Sequence, residues 1–429
     1  MHCNVSKATL ETRTRQYEVE MDRRTAALGA CAPVGLKVAH VATVDATVRY
    51  LLLSQLCWLS DVGYRVYAIS ADGPDVPAVV ATGIPHIAVP FTRRPDPWTD
   101  VLALASLVQV MRRGRFTIVH THTPKADVLG QLAASIARVP IVVRTLHGYH
   151  FHEHMAPLPY WLYVTLERFC APLADVILSQ SKEDIDVATR LRLCPSQRLV
   201  HLGNGINLDT FDPRLFSSEA VRRKREELRI EEGRRVVGFV GRLAGRRKGF
   251  LDFVRAARQL LDRGQNVTFV IVGATDRARP DAEDPDIARE YGIWEHCRFL
   301  GQLPNSELPM LYSAMDVVVL PSLFEGVPRV LMEATAMEVP VVATDVKGNR
   351  EVVQHGVNGL LVPLGDVHSL VDAIIELLAN PDKARQMGIQ GRRLALERFD
   401  ERVVFRRIEQ EYARLLDAKL GKFRLQLCP

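Results

Sequence analysis

Cysteine is scarce in this sequence and shows no pairing pattern. Seven cysteines are spread over 429 residues, and no CxxC or CxxH motif occurs. An odd number at irregular spacing argues against a disulfide framework, and the missing paired ligands argue against a zinc site. Several cysteines lie in apolar surroundings, so we interpret them as small core residues of a protein in a reducing compartment.

Long apolar runs and a strong charge of either sign are also missing. The longest uncharged apolar candidates, Tyr50–Ser60 and Met155–Leu166, fall short of the roughly 18 residues that a membrane span needs. The N-terminal residues lack the apolar segment of a secretory signal. A net charge of +5 is too weak for nucleic-acid binding driven by bulk charge. We therefore expect a cytoplasmic protein that does not bind nucleic acid.

Local arginine clusters leave a second location open. They comprise Arg93, Arg94, Arg112, Arg113 and Arg115. Such groups can dock onto an anionic membrane, but solvated surface charge is the favoured interpretation of them. Peripheral contact with the inner face of the cell membrane therefore stays an alternative to a freely soluble protein.

Apolar material is abundant, at 47% of the residues, and it is arranged as β-branched runs alternating with amphipathic stretches. Strand-like runs recur from Lys37–Ala42 to Val176–Ser179, pause at the Gly, Asn and Pro residues of 203–213, and resume from Val236–Val240 to Gly359–Val362. This alternation predicts an α/β fold with two Rossmann-like, doubly wound parallel-sheet domains facing a cleft. The predicted division is an extension (1–34), an N-terminal domain (35–206), a C-terminal domain (207–395), and a terminal helix with a tail (396–429) that returns to the first domain.

A basic loop follows the first predicted strand of the second domain. Gly241 and Arg242 come directly after the run Val236–Val240, and Lys248 stands just before the next helix. Free backbone N–H groups at a helix start, together with Arg and Lys, suit a diphosphate. The glycines match neither GxGxxG nor a P-loop, so a charged loop that binds nothing is an equal alternative for these residues alone.

A second constellation carries two carboxylates on a strand–turn–helix segment. Glu325 lies in the turn before Gly326 and Val327, and Glu333 follows eight positions later in a nearly apolar helix. A lone charge in such a helix needs a partner. Carboxylates accept hydrogen bonds from diols, and N–H groups at a helix start bind phosphate, so the segment favours a ligand site over a solvated helix.

These motifs together resemble the retaining family-four glycosyltransferases, which have the GT-B fold. The resemblance covers roughly residues 36–415 and rests on the E-x7-E pair Glu325 and Glu333, on Arg242 with Lys248, and on the linker Asn204-Gly205-Ile206. The chain is similar, more loosely, to the subgroup that builds bacterial capsule, exopolysaccharide or lipid-linked oligosaccharides.

The resemblance implies a role for each site residue. Arg242 and Lys248 would neutralise the departing diphosphate of a nucleotide-sugar donor, in place of a metal ion. Glu333 would hold the nucleotide ribose, and Glu325 would contact the transferred sugar. Backbone groups of Gly241, Gly326 and Val327 would approach the phosphates. The N-terminal domain would then hold the acceptor and the C-terminal domain the nucleotide-sugar.

Histidines follow two predicted strands of the first domain. The resemblance implies that one of them approaches the donor sugar and phosphate, and His147 matches that position best, with His122 as a second candidate. The group His147, His150, His152 and His154 raises the question of a metal site. These residues lie in a predicted loop that contains glycine and aromatic residues, and not on a helix, so no metal is expected.

The function predicted is a retaining glycosyltransferase, a hexosyl- or N-acetylhexosaminyltransferase, that acts in polysaccharide biosynthesis. It would move a sugar from a nucleotide-sugar, with UDP-sugar expected, to a glycan or lipid-linked acceptor without any cofactor. The alternatives are a GT-B sugar-nucleotide epimerase, a phosphorylase, and a non-catalytic protein that binds a nucleotide-sugar.

Overall fold

A computed structural model gives the fold of the chain for residues 35–153, 155–243, 246–275 and 282–421. The predicted extension (1–34), His154 and the tail beyond residue 421 lie outside the described residues. Among the described helices, none is both long enough and apolar enough to cross a membrane. The four described cysteines that the structure places, Cys57, Cys170, Cys194 and Cys297, are free thiols.

The β-branched runs of the first half form one parallel sheet, because residues such as valine and isoleucine fit a strand that is buried on both faces. Within the described residues this sheet has seven strands in the order β3-β2-β1-β4-β5-β6-β7. The strands are β1 (Lys37–Val41), β2 (Arg65–Ser70), β3 (His86–Ala88), β4 (Ile118–Thr121), β5 (Ile141–Leu146), β6 (Val176–Ser179) and β7 (Leu199–His201). The order reverses at β1, which places a crevice at the carboxyl ends of β1 and β4.

Helices cover both faces of this first sheet. They are α1 (Leu53–Asp61), preceded by the short helical segments Asp45–Thr47 and Val48–Leu52, then α2 (Val76–Val80), α3 (Pro97–Gly114), α4 (Pro124–Ala137), α5 (Pro157–Cys170) and α6 (Lys182–Arg190). Helices α3, α4 and α5 lie next to one another on one face, whereas α1 covers the other.

The second half repeats this architecture in a smaller sheet. Within the described residues it has six strands in the order β10-β9-β8-β11-β12-β13. The strands are β8 (Arg235–Val240), β9 (Val267–Val272), β10 (Cys297–Phe299), β11 (Val317–Leu320), β12 (Val341–Thr344) and β13 (Gly359–Val362). The helices are α7 (Ser218–Glu227), α8 (Phe250–Asp262), α9 (Ile287–Glu290), α10 (Leu308–Ser313), α11 (Arg329–Ala336), α12 (Asn349–Val352), α13 (Val367–Ala379) and α14 (Pro381–Arg398). The prediction of two Rossmann-like parallel-sheet domains is confirmed.

The chain ends in a helix, α15 (Glu401–Leu420), that packs on the first domain. Its apolar stripe, which includes Phe405, Ile408 and Tyr412, is buried in the core beneath β1. A break at Phe399 and Asp400 separates α15 from α14, and the Asp400 side chain accepts a hydrogen bond from the Arg402 backbone N–H at 2.9 Å. Because α14 packs on the second domain and α15 on the first, the chain crosses between domains a second time.

The two domains also meet through charged contacts at the cleft. The Glu351 carboxylate of the second domain accepts hydrogen bonds from the Ser181 hydroxyl at 2.9 Å and from the Lys182 backbone N–H at 2.6 Å. This carboxylate therefore caps the N-terminus of α6, where a negative charge is favourable. In addition, the ammonium of Lys347 from the second domain lies 2.5 Å from the carboxylate of Asp184, a buried residue of α6. These contacts fix the carboxyl ends of the two sheets opposite each other.

Candidate active site

The basic loop of the second domain places a lysine against a buried carboxylate. Loop 241–249 connects β8 to α8, and at its end the Lys248 Nζ lies 2.6 Å from the Glu325 Oε1. The Ser322 hydroxyl donates to the same oxygen at 2.7 Å. Burial alone would raise the pKa of Glu325, but the charges of Lys248 and Arg247 and these hydrogen bonds hold that pKa below its ordinary value. The site therefore contains a carboxylate that stays ionised and a lysine held in place by it.

Arg242 and Arg247 belong to the same loop. Arg242 is exposed and follows the carboxyl end of β8. The guanidinium of Arg247 lies over the Phe324 ring at 4.7 Å, and its buried Nε has no hydrogen-bond partner among the described residues. Sequence reasoning chose Arg242 and Lys248 and passed over Arg247, although its place in the run Arg246-Arg247-Lys248 was a visible signal.

Glu333 lies on α11, on a side that is buried in the second domain. The Tyr312 hydroxyl donates to its Oε2 at 3.0 Å, and the Arg329 guanidinium lies 3.6 Å from its Oε1. Burial raises the pKa of Glu333, while Arg329 and Tyr312 oppose the rise. Tyr312 and Arg329 are thus the partners that a carboxylate in an apolar helix requires. The contact of Glu333 with a nucleotide ribose stays a prediction.

Glycines bring the two domains into close approach beside Glu325. A Cβ on Gly326 would lie 2.1 Å from the His147 carbonyl oxygen, so only glycine fits there. On the facing loop, Gly148 has φ +114°, which is available to glycine, and a Cβ on it would lie 2.8 Å from the Gly326 Cα. The His147-Gly148 loop of the first domain therefore faces the start of α11 and the Glu325–Lys248 pair directly.

His147 belongs to a chain of neighbouring rings that we call the histidine cluster: His40, His120, His122 and His147, of which the first three are buried. The Nε2 of His147 lies 3.4 Å from the Nδ1 of His122, whose Nε2 lies 2.9 Å from the Nδ1 of His40. His120 stacks on His122 with ring centroids 4.2 Å apart, and its Nδ1 lies 2.6 Å from the Tyr412 hydroxyl of α15. The cluster thus extends from the cleft loop to the terminal helix.

Burial sets the protonation of this cluster. It lowers the pKa of His40 to about 3 and that of His147 to about 4, although a hydrogen bond to Gln180 partly opposes the second shift. Burial, together with repulsion between neighbouring rings, lowers the pKa values of His120 and His122 as well. All four rings are therefore neutral at neutral pH, and each can both donate and accept a hydrogen bond.

A polar chain connects His147 to the start of α11 through the interdomain linker. Gln180, whose side chain bonds to His147, donates from its Nε2 to the Asn204 Oδ1 at 3.1 Å. Asn204 then donates from its Nδ2 to the Val327 carbonyl at 3.0 Å. The linker residue Asn204 thereby ties together the two loops that form the cleft. Sequence reasoning used Asn204 only as part of the linker motif.

Among the described residues, three of these histidines also form a candidate metal site. Nitrogen atoms of His40, His120 and His122 lie within 4.8 Å of one another. The ring nitrogens are used in hydrogen bonds among themselves and to Tyr412 and Thr145, which is the pattern of a polar core. This group differs from the one weighed in the sequence, whose member His152 instead stacks on Phe324 at 4.4 Å. The expectation of no metal stays a prediction.

Two family descriptions match the chain, one on each domain. "Glycosyl transferase 4-like domain" matches residues 46–205, and "Glycosyl transferases group 1" matches residues 220–394. The chain belongs to the family-four glycosyltransferases. The predictions of the family and of an enzyme are therefore confirmed.

Relatives of this glycosyltransferase are known from several bacteria. It is 28% identical over 280 residues to UDP-Gal:alpha-D-GlcNAc-diphosphoundecaprenol alpha-1,3-galactosyltransferase of Escherichia coli, which covers 65% of this chain and 70% of the relative. It is 26% identical over 401 residues to the capsular polysaccharide biosynthesis glycosyltransferase CapM of Staphylococcus aureus, covering 90% of this chain and 99% of CapM. Among solved structures, Anabaena HepE in complex with UDP-glucose superposes with a TM-score of 0.75 at 23% identity, covering 88% of this chain and 100% of HepE. This likeness confirms the GT-B fold.

Proposed function

We propose that this glycosyltransferase moves a sugar from a UDP-sugar to a glycan or lipid-linked acceptor in polysaccharide biosynthesis, with retention of the anomeric configuration. The observation that carries the proposal is the Lys248–Glu325 pair beside Gly326, directly opposite the His147-Gly148 loop. This arrangement places cations, helix-start N–H groups and a carboxylate around one space between two Rossmann-like domains. Relatives named for a UDP-galactose donor and for capsule synthesis support the choice of donor and acceptor class.

The chemistry follows from where charge develops. When the bond between the sugar and the diphosphate breaks, negative charge grows on the leaving phosphate. Lys248 and Arg242 in the loop after β8, and the N–H groups at the start of α11, would stabilise that charge. The cations then take the role that a metal ion has in other transferases, so we propose turnover without a divalent metal.

Glu325 and His147 would act on the sugar from opposite sides of the cleft. Glu325 stays ionised, so it accepts hydrogen bonds from sugar hydroxyls and keeps Lys248 in position. His147 is neutral, so it can contact a hydroxyl without adding charge. With no side chain assigned as a nucleophile, the acceptor would attack on the face that the diphosphate leaves, and the leaving phosphate would take the acceptor proton. That path retains the anomeric configuration.

A ligand panel followed by product analysis tests this proposal. We expect UDP and UDP-sugars to raise the thermal midpoint of the full chain more than GDP-sugars or ADP-sugars do, because a ligand stabilises the native state that binds it. The anomeric configuration of the product, followed by NMR in buffer containing EDTA, then reports retention and metal dependence together. Inversion, or loss of turnover in EDTA that Mg²⁺ restores, would contradict the proposed mechanism. A UDP-sugar converted to its epimer without an acceptor would instead identify an epimerase.

A further inference from the structure

Large apolar side chains cover the outer surface of the three helices that lie side by side on the first domain. Helix α5 is apolar on two sides. Val164 and Cys170 pack inward, while Leu158, Leu162 and Phe169 have 83%, 68% and 64% of their surface exposed. The whole set, which we call the outer face, is Trp98, Val101, Leu102, Ile136, Leu158, Trp161, Leu162, Leu166 and Phe169. Large apolar side chains exposed together on neighbouring helices in this way indicate an interaction site.

The outer face begins at the edge of the cleft. Helix α5 starts directly after the loop that carries His147 and Gly148, so Leu158 and Trp161 lie in its first turns. On α3 the exposed Trp98 also lies in the first turn, at the carboxyl end of the sheet where the cleft opens. A partner bound to this face would therefore lie next to the entrance of the active site.

The charges of these helices are sorted by sign. Each helix has one acidic residue, and each of these is held in an ion pair. Asp100 lies 2.6 Å from Lys125, and Arg144 bridges Asp127 at 3.0 Å and Glu167 at 2.6 Å. The exposed charges on α3 to α5 and at the end of α4 are all arginines: Arg112, Arg113, Arg138 and Arg168. A surface of tryptophan, leucine and phenylalanine with only positive exposed charge complements an anionic lipid surface.

We propose that the outer face of α3, α4 and α5 is a membrane-docking surface for an anionic bilayer, with the apolar side chains entering the lipid interface. The inference rests on the proposed function in one respect, since docking places the cleft entrance at the surface where a lipid-linked acceptor resides. A second copy of the chain is the other occupant that an apolar face can have. The uniformly positive exposed charge disfavours it, because two such faces would bring like charges together.

Vesicle flotation with the full chain tests the docking surface. We expect binding to vesicles of phosphatidylcholine with phosphatidylglycerol, and binding about fivefold or more weaker when phosphatidylglycerol is omitted. Replacing Leu162 by glutamate should lower the partition constant about tenfold or more, since it places a charge in the interface. The matched control is Leu396→Glu, which changes a residue 55% exposed on α14 of the other domain and should bind vesicles like wild type.

Activity separates this inference from the proposed function. On a water-soluble acceptor lacking a lipid, Leu162→Glu should keep wild-type turnover, whereas on an acceptor embedded in vesicles its rate should fall with its binding. Wild-type vesicle binding by Leu162→Glu, or equal loss in Leu396→Glu, would overturn the docking surface. A concentration-dependent dimer that Leu162→Glu abolishes, without vesicle binding by wild type, would assign the face to a second copy. Absence of turnover by wild type on every acceptor would refute the proposed function and leave the vesicle result standing.

Discussion

Replacing Lys248 by methionine separates its contact with Glu325 from the role that we propose for it in catalysis. Its ammonium lies 2.6 Å from Glu325, a carboxylate that is 5% exposed, and under the proposed function it would also neutralise the departing diphosphate. Leaving a buried charge without its partner costs about 3–5 kcal/mol. The Ser322 hydroxyl and Arg247 still face the carboxylate, so we expect a loss at or just below the lower limit of that range, about 2–3 kcal/mol.

The pH dependence of this loss has a defined sign. In the wild type the pKa of Glu325 is below its ordinary value, so its contribution to stability is present at neutral pH and is lost as the pH falls through the folded-state pKa. Without Lys248, burial is the dominant effect and raises the pKa of Glu325. The carboxylate is then protonated as the pH falls, which removes the unpaired buried charge from the variant. The stability difference between wild type and Lys248→Met should therefore shrink as the pH falls from about 7 towards 5.

A second substitution distinguishes stability from catalysis. In Lys248→Met with Glu325→Gln the buried charge is gone, so most of the lost stability should return, as measured by urea unfolding. Turnover with a UDP-sugar should stay about 10²- to 10³-fold below wild type, because the cation for the leaving phosphate is still absent. The control is Lys383→Met, which removes an exposed ion pair with Glu376 in the same domain and should cost no more than about 1 kcal/mol.

Two results would refute this reasoning. If Lys248→Met unfolds like Lys383→Met at neutral pH, the pair with Glu325 contributes little to the fold. If the double variant recovers turnover together with stability, Lys248 acts on Glu325 alone and has no role at the diphosphate.

Three further predictions follow from other parts of the site. Gly326→Ala would place a Cβ 2.1 Å from the His147 carbonyl oxygen, so we expect kcat/KM to fall about tenfold or more while the thermal midpoint changes little. Steady-state kinetics and calorimetry measure these two quantities. Full activity would mean that the domains do not approach this closely during turnover. Tyr312→Phe removes the hydrogen bond to the buried Glu333, so it should lower the free energy of unfolding by about 1–2 kcal/mol and weaken UDP binding in calorimetric titration. Unchanged UDP affinity would mean that Glu333 has a structural role only. The four members of the histidine cluster have depressed pKa values, so below about pH 6.5 the unfolded chain binds protons that the folded chain does not bind. Stability should therefore decrease as the pH falls, by up to about 1.4 kcal/mol per pH unit for each ring. Urea unfolding of wild type and His40→Asn measures this slope, which should be shallower in the variant.

Much of the fold could be predicted because buried parallel strands correspond to short apolar runs in the sequence. The runs Val176–Ser179, Val267–Val272 and Gly359–Val362 coincide with β6, β9 and β13. Boundaries shift where a flanking residue is compatible with either state. The run predicted at Lys37–Ala42 forms β1 only as far as Val41, which pairs with Ile69 of β2. Pairing with a neighbouring strand decides such ends, and pairing is a long-range property that a local pattern does not contain.

The site divides in the same way between local and long-range information. Glu325 and Lys248 stand out in the sequence because each lies in a short motif, yet their 2.6 Å contact joins residues 77 positions apart. His40 and His120 gave a weaker signal, since each is a lone histidine within a mostly apolar strand. The structure shows why they are there: β1 and β4 are adjacent with these two residues in register, and Tyr412 of α15 reaches the pair from the far end of the chain.

This last contact explains why the terminal helix belongs to the active-site architecture and is more than a cover for apolar surface. Three buried neutral imidazoles in a strand core are costly unless their nitrogens find partners. The Tyr412 hydroxyl, 2.6 Å from His120 and 3.5 Å from His40, supplies one from α15, while His122 contacts His147 at the cleft. Docking of α15 therefore completes the hydrogen bonding that orients His147, so the second crossing of the chain between domains contributes to the geometry of the cleft.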